Sequence, residues 1–196
     1  MIDIFNPDGS YNFPLIREKA YEYLHPKRIP HVQGCEKAAV KLAKLYGVDQ
    51  NTAAVAAILH DITKKNTYEE QLNISEKYDI INDCFEANEP KLLHAKTGAA
   101  VAKHEFGVSD AIADAIRWHT TGKPNMTMLQ KIIYMADYIE ETRHFDGVEK
   151  LRRLAHKNID KAMALGLAMS IEDITERGNE VYQDTLDAYN YYNSKL

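Results

Sequence analysis

Apolar residues recur along this chain at helical spacing. Between His31 and Tyr46 they fall at Val32, Cys35, Ala38, Ala39, Leu42 and Tyr46, one face of a helix. Gly47 follows, where a left-handed residue can end that helix. Asp49 is placed to cap the next helix, Gln50–Asp61. The run Ala53-Ala-Val-Ala-Ala-Ile-Leu59 within it has no polar face and predicts burial on most sides. Polar Thr63 to Asn66 closes it. Shorter, weaker helical patterns cover Thr67–Asp79 and Ile80–Ala87. A stronger one opens at Glu89-Pro90, with proline at the first helical position, and stops at Phe106-Gly107. Ser109 is placed to cap a helix through Trp118, and Thr120-Thr-Gly-Lys-Pro124 reads as a turn. Thr127–Glu141 carries Leu129, Ile132, Ile133 and Ala136 on one side. Val148–His156, Asp160–Arg177 and Asp184–Tyr192 complete the series. No stretch alternates with the period of a strand. The prediction is an all-α fold: a single compact domain of roughly eight to ten helices over 14–196, not a regular four-helix bundle. The turn-rich residues 1–13 form an N-terminal arm expected to be loosely held.

Composition narrows the function classes. The chain has 196 residues, 45% hydrophobic and 27% charged, which suits a globular domain able to bury about 70% of its unfolded surface. Two cysteines, Cys35 and Cys84, are too few for a disulfide framework, and no secretory signal is visible, so a reducing cytoplasm is expected. The longest uncharged apolar stretch, Ala162 to Ile171, is too short to span a bilayer, so no membrane partner is expected. A net charge of −5 argues against nucleic acid as the main partner. It leaves room for a local basic pocket that takes a phosphate-bearing small molecule.

Candidate chemistry rests on the eight histidines and two of the aspartates. His60-Asp61 closes an otherwise apolar helix, where an imidazole and a carboxylate must be paired or coordinated if buried. Neighbouring helical residues point about 100° apart, so both reach one cation only if it lies beside the helix. Asp61, with two oxygens, can bridge two cations. His31 opens the preceding helix just after Pro30, His94 lies in the second turn of a later helix, and His119 ends the next. Asp137 interrupts Ile132-Ile-Tyr-Met-Ala136 on the side of Ile133, which predicts burial and a cation beside it. Each has a plain reading when taken singly: a helix-start histidine bonded to backbone, surface histidines, an aspartate paired with Lys131 or Arg143. Together they form a nitrogen and oxygen donor set. That set suits Fe, Mn, Co or Zn rather than a sulfur-rich structural zinc site, and six donors fit two metals sharing a bridge. Cys35 shares a helix face with His31, so a His/Cys ligand pair is possible, but its residue type favours the core, as for Cys84. Arg28, Lys64 and Arg143 are tethered close to these residues, and fixed cations around a metal pair are what a polyphosphate requires.

Five segments carry a resemblance: His31-Val-Gln-Gly34, Ala56-Ala-Ile-Leu-His-Asp-Ile-Thr-Lys64, His94-Ala-Lys-Thr-Gly-Ala99, Ala115-Ile-Arg-Trp-His-Thr-Thr-Gly122 and Ile133-Tyr-Met-Ala-Asp-Tyr-Ile-Glu-Glu-Thr-Arg143. They resemble the HD superfamily of metal-dependent phosphohydrolases and, more closely, the bacterial symmetrically cleaving bis(5′-nucleosyl)-tetraphosphatases. The resemblance implies an HD-type helical fold and two divalent metal ions, iron by preference, held by His31, His60, Asp61, His94, His119 and Asp137, with Asp61 bridging. It implies catalytic roles for Asp61 and Lys64. It implies substrate contacts from Arg28, Ile62, Thr63, Lys64, Thr120 and Arg143 beside the metal ligands. It extends them to Gly178, Asn179, Val181, Tyr182 and Gln183, the last standing where family members often have proline. The implied reaction is attack on phosphorus by a hydroxide bridging the metals, with no side-chain nucleophile. Diadenosine tetraphosphate, a dinucleoside polyphosphate, would yield two ADP, and a guanosine dinucleotide would yield GDP. The residues leave open another nucleotide substrate (a nucleoside monophosphate, a deoxynucleoside triphosphate or a guanosine alarmone) or a non-catalytic nucleotide sensor. A homodimer is compatible with Tyr189, Tyr191 and Tyr192, which otherwise pack on the chain's own core.

Overall fold

The structure, a computed structural model, describes residues 1–80 and 90–195. Ten α-helices are found among these residues: α1 (Phe13–Glu22), α2 (Ile29–Tyr46), α3 (Gln50–Leu59), α4 (Tyr68–Lys77), α5 (Pro90–Phe106), α6 (Asp110–Arg117), α7 (Met128–Ile139), α8 (Val148–Ala155), α9 (Ile159–Glu176) and α10 (Gln183–Asn193). A 3₁₀ turn, Pro26–Arg28, leads into α2. No strand occurs among the described residues. The expected helix at Ile80–Ala87, beyond Ile80, and the core placement of Cys84 lie outside them.

Local chemistry explains most boundaries. Gly47 ends α2 at φ 68°, a left-handed conformation that costs glycine no Cβ clash. Asp49 caps α3 by accepting from Thr52 N. Thr67 with Glu70 and Thr127 with Gln130 form capping boxes at α4 and α7. Ser109 stands at the expected cap of α6, but its side chain makes no capping bond. Helix α3 stops at Leu59, two residues before its expected end. The chain then turns through successive i to i+3 bonds, Ile62 N to Leu59 O, Lys64 N to Asp61 O and Asn66 N to Thr63 O. His60 and Asp61 therefore sit in the turn after the helix. Helix α7 likewise ends at Ile139, which leaves Glu140 just beyond it.

Two features escape the apolar pattern. Helix α1 buries only Ile16 and Ala20 of its ten residues, a stripe too thin to stand out in sequence. The N-terminal arm is pinned rather than loose. Ile4 is fully buried in the core, Asn12 N donates to Ile4 O, Ile2 N donates to Glu105 O, and Phe5 pairs with Tyr11 in an antiparallel bridge. A single apolar anchor outweighs the turn-rich composition around it.

Helix α2 packs against α3 and α7, α5 against α6, and α9 against α8 and α10. Helices α3 and α7 are buried nearly all round and form the centre, with Val55, Ile58, Leu59, Ile132, Ile133 and Met135 in one cluster. Helix α5 approaches the turn after α3 because Gly98 has no side chain. A Cβ there would stand 3.3 Å from Thr63 Oγ1 and 3.5 Å from His60 O. The C-terminal tyrosines pack on the chain's own core. Tyr192 is buried with its hydroxyl accepting from Met126 N, and Tyr191 donates to Asn125 Oδ1. No helix among the described residues is long and apolar enough to cross a membrane.

Candidate metal and phosphate site

The six donors come from five places in the chain and meet at one point. His31 lies in the first turn of α2, His60 and Asp61 in the turn after α3, His94 on α5, His119 after α6, and Asp137 on α7. Asp61 is at the centre. Its Oδ2 is 3.3 Å from His60 Nε2 and 3.8 Å from His31 Nε2, while its Oδ1 is 3.3 Å from His94 Nε2 and 3.6 Å from His119 Nε2. Asp137 Oδ1 is 3.0 Å from His31 Nε2 and 4.0 Å from His60 Nε2. All four histidines and Asp61 are buried.

Proton positions decide what this cluster is for. His60 Nδ1 and His119 Nδ1 each lie 2.7 Å from the carbonyl oxygen three residues earlier, Ala57 O and Ile116 O. A ring N–H must donate there, so each neutral ring turns a bare Nε2 lone pair toward Asp61. Oδ1 of Asp61 accordingly accepts no hydrogen bond although it is fully buried. His94 Nε2 and His119 Nε2 face each other at 3.1 Å, where at most one proton fits. Acceptors converging on acceptors in a buried site are costly unless cations stand between them. The donor set, imidazole nitrogen and carboxylate oxygen, is that of divalent transition metals. Among the described residues two overlapping donor groups occur, one of His31, Cys35, His60 and Asp137 and one of His60, Asp61 and His119, with ligand atoms inside each within 4.8 Å of one another. The residues fit two cations better than one.

Electrostatics agrees. Burial and the Lys64 ammonium push His94 down to about 3, and burial lowers His119, so both stay neutral and ready to coordinate. Burial also opposes charge on His60, but the Asp61 carboxylate outweighs it and raises the group. Asp61 and Asp137 are held well below the carboxylate range. Burial alone would raise them, and His60 at Asp61 and His31 at Asp137 reverse it.

Three cations rim the cluster. Arg28 Nε donates to Asp61 Oδ2 at 2.6 Å, and Arg143 donates to both Asp137 Oδ1 and the Asp137 carbonyl. Lys64 Nζ is 3.0 Å from His94 Nε2, with much of its side chain facing solvent. Thr120 Oγ1 stands 3.2 Å from His119 Nε2 and also borders a cleft between α9 and the segment before α10. Of the C-terminal residues expected at the substrate, Asn179 and Tyr182 line this cleft. Gly178, Val181 and Gln183 do not, and Gln183 Nε2 instead donates to Asp187 Oδ1. Ile62 and Thr63, also expected there, turn their side chains inward. Ile62 is in the core, and Thr63 Oγ1 donates to His94 O at 2.8 Å, which fixes α5 against the turn.

Sequence reasoning missed two groups. Ser170, Asp173, Ile174 and Arg177 line the cleft at helical spacing i, i+3, i+4 and i+7, a signal present in the chain. Glu140 is fully buried, and its carboxylate accepts from His31 Nδ1 at 3.0 Å, from Thr142 N at 2.6 Å and from Thr142 Oγ1 at 2.5 Å. It orients His31 so that Nε2 faces the carboxylates.

Comparison with known proteins agrees with this geometry. The HD domain family matches residues 28–142. The symmetrical bis(5′-nucleosyl)-tetraphosphatase of Halalkalibacterium halodurans is 41% identical over 89% of this chain and 95% of its own length. The Bacillus subtilis protein of the same description is 37% identical over 87% and 91%. The crystal structure of a predicted HD superfamily hydrolase involved in NAD metabolism from Clostridium acetobutylicum has a TM-score of 0.91 at 33% identity, covering 96% of this chain and 100% of that one. Fold and site together define an all-helical HD-domain hydrolase. Within that class, the chain belongs to the family of symmetrical bis(5′-nucleosyl)-tetraphosphatases.

Proposed function

We propose that this protein hydrolyses diadenosine tetraphosphate to two molecules of ADP, using two divalent cations, iron by preference. The observation that carries the reading is the buried convergence of imidazole nitrogens and carboxylates on Asp61, one of whose oxygens accepts no hydrogen bond, rimmed by Arg28, Lys64 and Arg143 and bordered by a cleft at Thr120. His31, His60, Asp61, His94, His119 and Asp137 would hold the cations, with Asp61 offering one oxygen to each side. When bound, such a pair supplies Lewis acidity and ionises a water at neutral pH.

The chain's own residues do the rest. Lys64 stands beside His94 at the mouth and neutralises non-bridging phosphate oxygens. Arg28 and Arg143, each about a third exposed, hold the carboxylates while no polyphosphate is present and present planar donors to it when it arrives. Thr120 offers a hydroxyl to a phosphate oxygen. Asn179 and Tyr182 line the cleft that would receive one nucleoside. Symmetric products require attack at the phosphorus second from one nucleoside, so that ADP leaves.

The test is anaerobic incubation of Fe(II)-loaded protein with diadenosine tetraphosphate, with products separated by ion exchange. ADP alone supports the reading. ATP with AMP overturns the point of attack. Metal bound without turnover of this or other nucleotides favours a sensor.

A further inference from the structure

The last carbonyls of a helix have no partner within it. At the end of α7 two of them are taken by arginines from further along the chain. Asp137 O accepts from Arg143 Nε at 2.8 Å, and Ile139 O accepts from Arg152 Nε at 2.8 Å. Arg152 lies on α8, beyond the loop that carries Arg143. Its Nη2 also donates to Glu140 O at 2.6 Å and to Arg143 O at 2.9 Å, and its Nη1 pairs with the Glu149 carboxylate one turn earlier on α8. One guanidinium thus ties together three carbonyls between Ile139 and Arg143, which requires a planar fork of donors rather than a point charge. A cation is also favoured at a helix C-terminus. The Arg152 side chain is only 21% exposed, so it is built into the fold rather than solvated.

What this fork holds is the backbone from which Arg143 projects. Arg143 N donates to Glu140 O at 3.1 Å, the same carbonyl that Arg152 takes, so both ends of the turn are fixed. The Glu140 carboxylate is anchored separately, by His31 and by Thr142. We propose that Arg152 is a positioning residue for the nucleotide: it fixes the Glu140–Arg143 turn so that the Arg143 guanidinium is already placed to meet a phosphate oxygen. The proposal rests on the reading above in which Arg143 contacts a polyphosphate. Arg152 acts through Arg143, and ordering the loop beforehand lowers the cost of binding.

The experiment is calorimetric titration of Mn(II)-loaded protein with ADP, in wild type, Arg152→Met, Arg143→Ala and the double variant, with bound metal and Tm recorded for each. Arg152→Met keeps the aliphatic stem and removes the fork. It is expected to weaken ADP binding about 10-fold in wild type, the scale of the charge-assisted contact it supports, and less than about twofold where Arg143 is already alanine. A general loss of stability would not depend on Arg143 in this way. Bound metal is expected to be equal in all four proteins. Equal weakening in both backgrounds, or none in either, overturns the positioning role and leaves nucleotide binding standing. Metal lost from Arg152→Met places the effect at Glu140 and also overturns it. No ADP bound to wild type overturns both readings. If Arg152→Met does not fold, Arg152→Lys, which retains the charge without the fork, gives the same comparison.

Discussion

At the scale of single residues, Asp61 concentrates the problem this site poses. It is a buried carboxylate with one oxygen accepting no hydrogen bond, while the other accepts from the Arg28 guanidinium. Such an arrangement is costly unless cations stand beside it. Asp61→Asn keeps the shape and removes the charge. We expect it to lose one or both metals and to lower turnover by more than about 100-fold, because loss of an outer-shell partner alone costs about 10 to 100-fold. Metal analysis of the dialysed variant checks this, and full metal content with full activity would remove Asp61 from the bridge. Arg143 makes the contrasting case. Its guanidinium holds Asp137 from the rim, so Arg143→Ala should keep its metals and weaken nucleotide binding by about 10-fold or more, the scale of one charge-assisted contact. Calorimetric titration with a non-hydrolysable analogue measures it.

At the scale of elements, the site depends on how closely helices approach. Gly34 lies on α2 under the Glu140 carboxylate, and a Cβ there would collide with it. Glu140 is not free to swing away, since Thr142 and His31 both hold it. Alanine should help an isolated helix by about 1 kcal/mol over glycine. Here we expect Gly34→Ala to lower metal affinity about 10 to 100-fold by displacing the group that orients His31. Unchanged affinity would mean that Glu140 does not orient it. A second junction joins α5 to the N-terminal half. Glu105 accepts from Tyr23 OH and Tyr78 OH, each at 2.7 Å, and from Lys77 at 3.2 Å. Burial raises its pKa, but these donors outweigh it and leave it below its ordinary value. Its contribution is therefore present above the unfolded value of about 4.3 and is lost as pH falls through the folded value. Thermal melts from pH 6 downward should show Glu105→Gln converging with wild type below about pH 4, whereas a constant difference would exclude the linkage.

For the whole molecule, binding and folding are coupled, because the donors sit on separate elements that only the folded chain assembles. Metal present at 100 times its dissociation constant adds about 2.7 kcal/mol to stability. For a chain of this length that is roughly 5 to 10 °C in Tm. Treatment with a strong chelator should lower Tm by that amount, and metal should restore it. A Tm indifferent to chelator would argue that the cluster is satisfied without cations. The N-terminal arm joins the same core through Ile4, so the fold does not begin at its first long helix.

Local chemistry was sufficient to write most of the helices into the sequence, α1 excepted. Gly47, Asp49, Thr67 and Thr127 set their boundaries through backbone groups a few residues away, and the apolar period set their buried faces. The donor residues were legible for the same reason, since His60-Asp61 and Asp137 interrupt apolar runs where a lone polar group is costly. What the sequence could not determine was distance between elements. That His31 meets Asp137, that Glu140 lies over Gly34, and that Ile4 closes the core all depend on how α2, α3 and α7 pack. Packing is fixed by the fit of many side chains at once, which no short window of sequence contains.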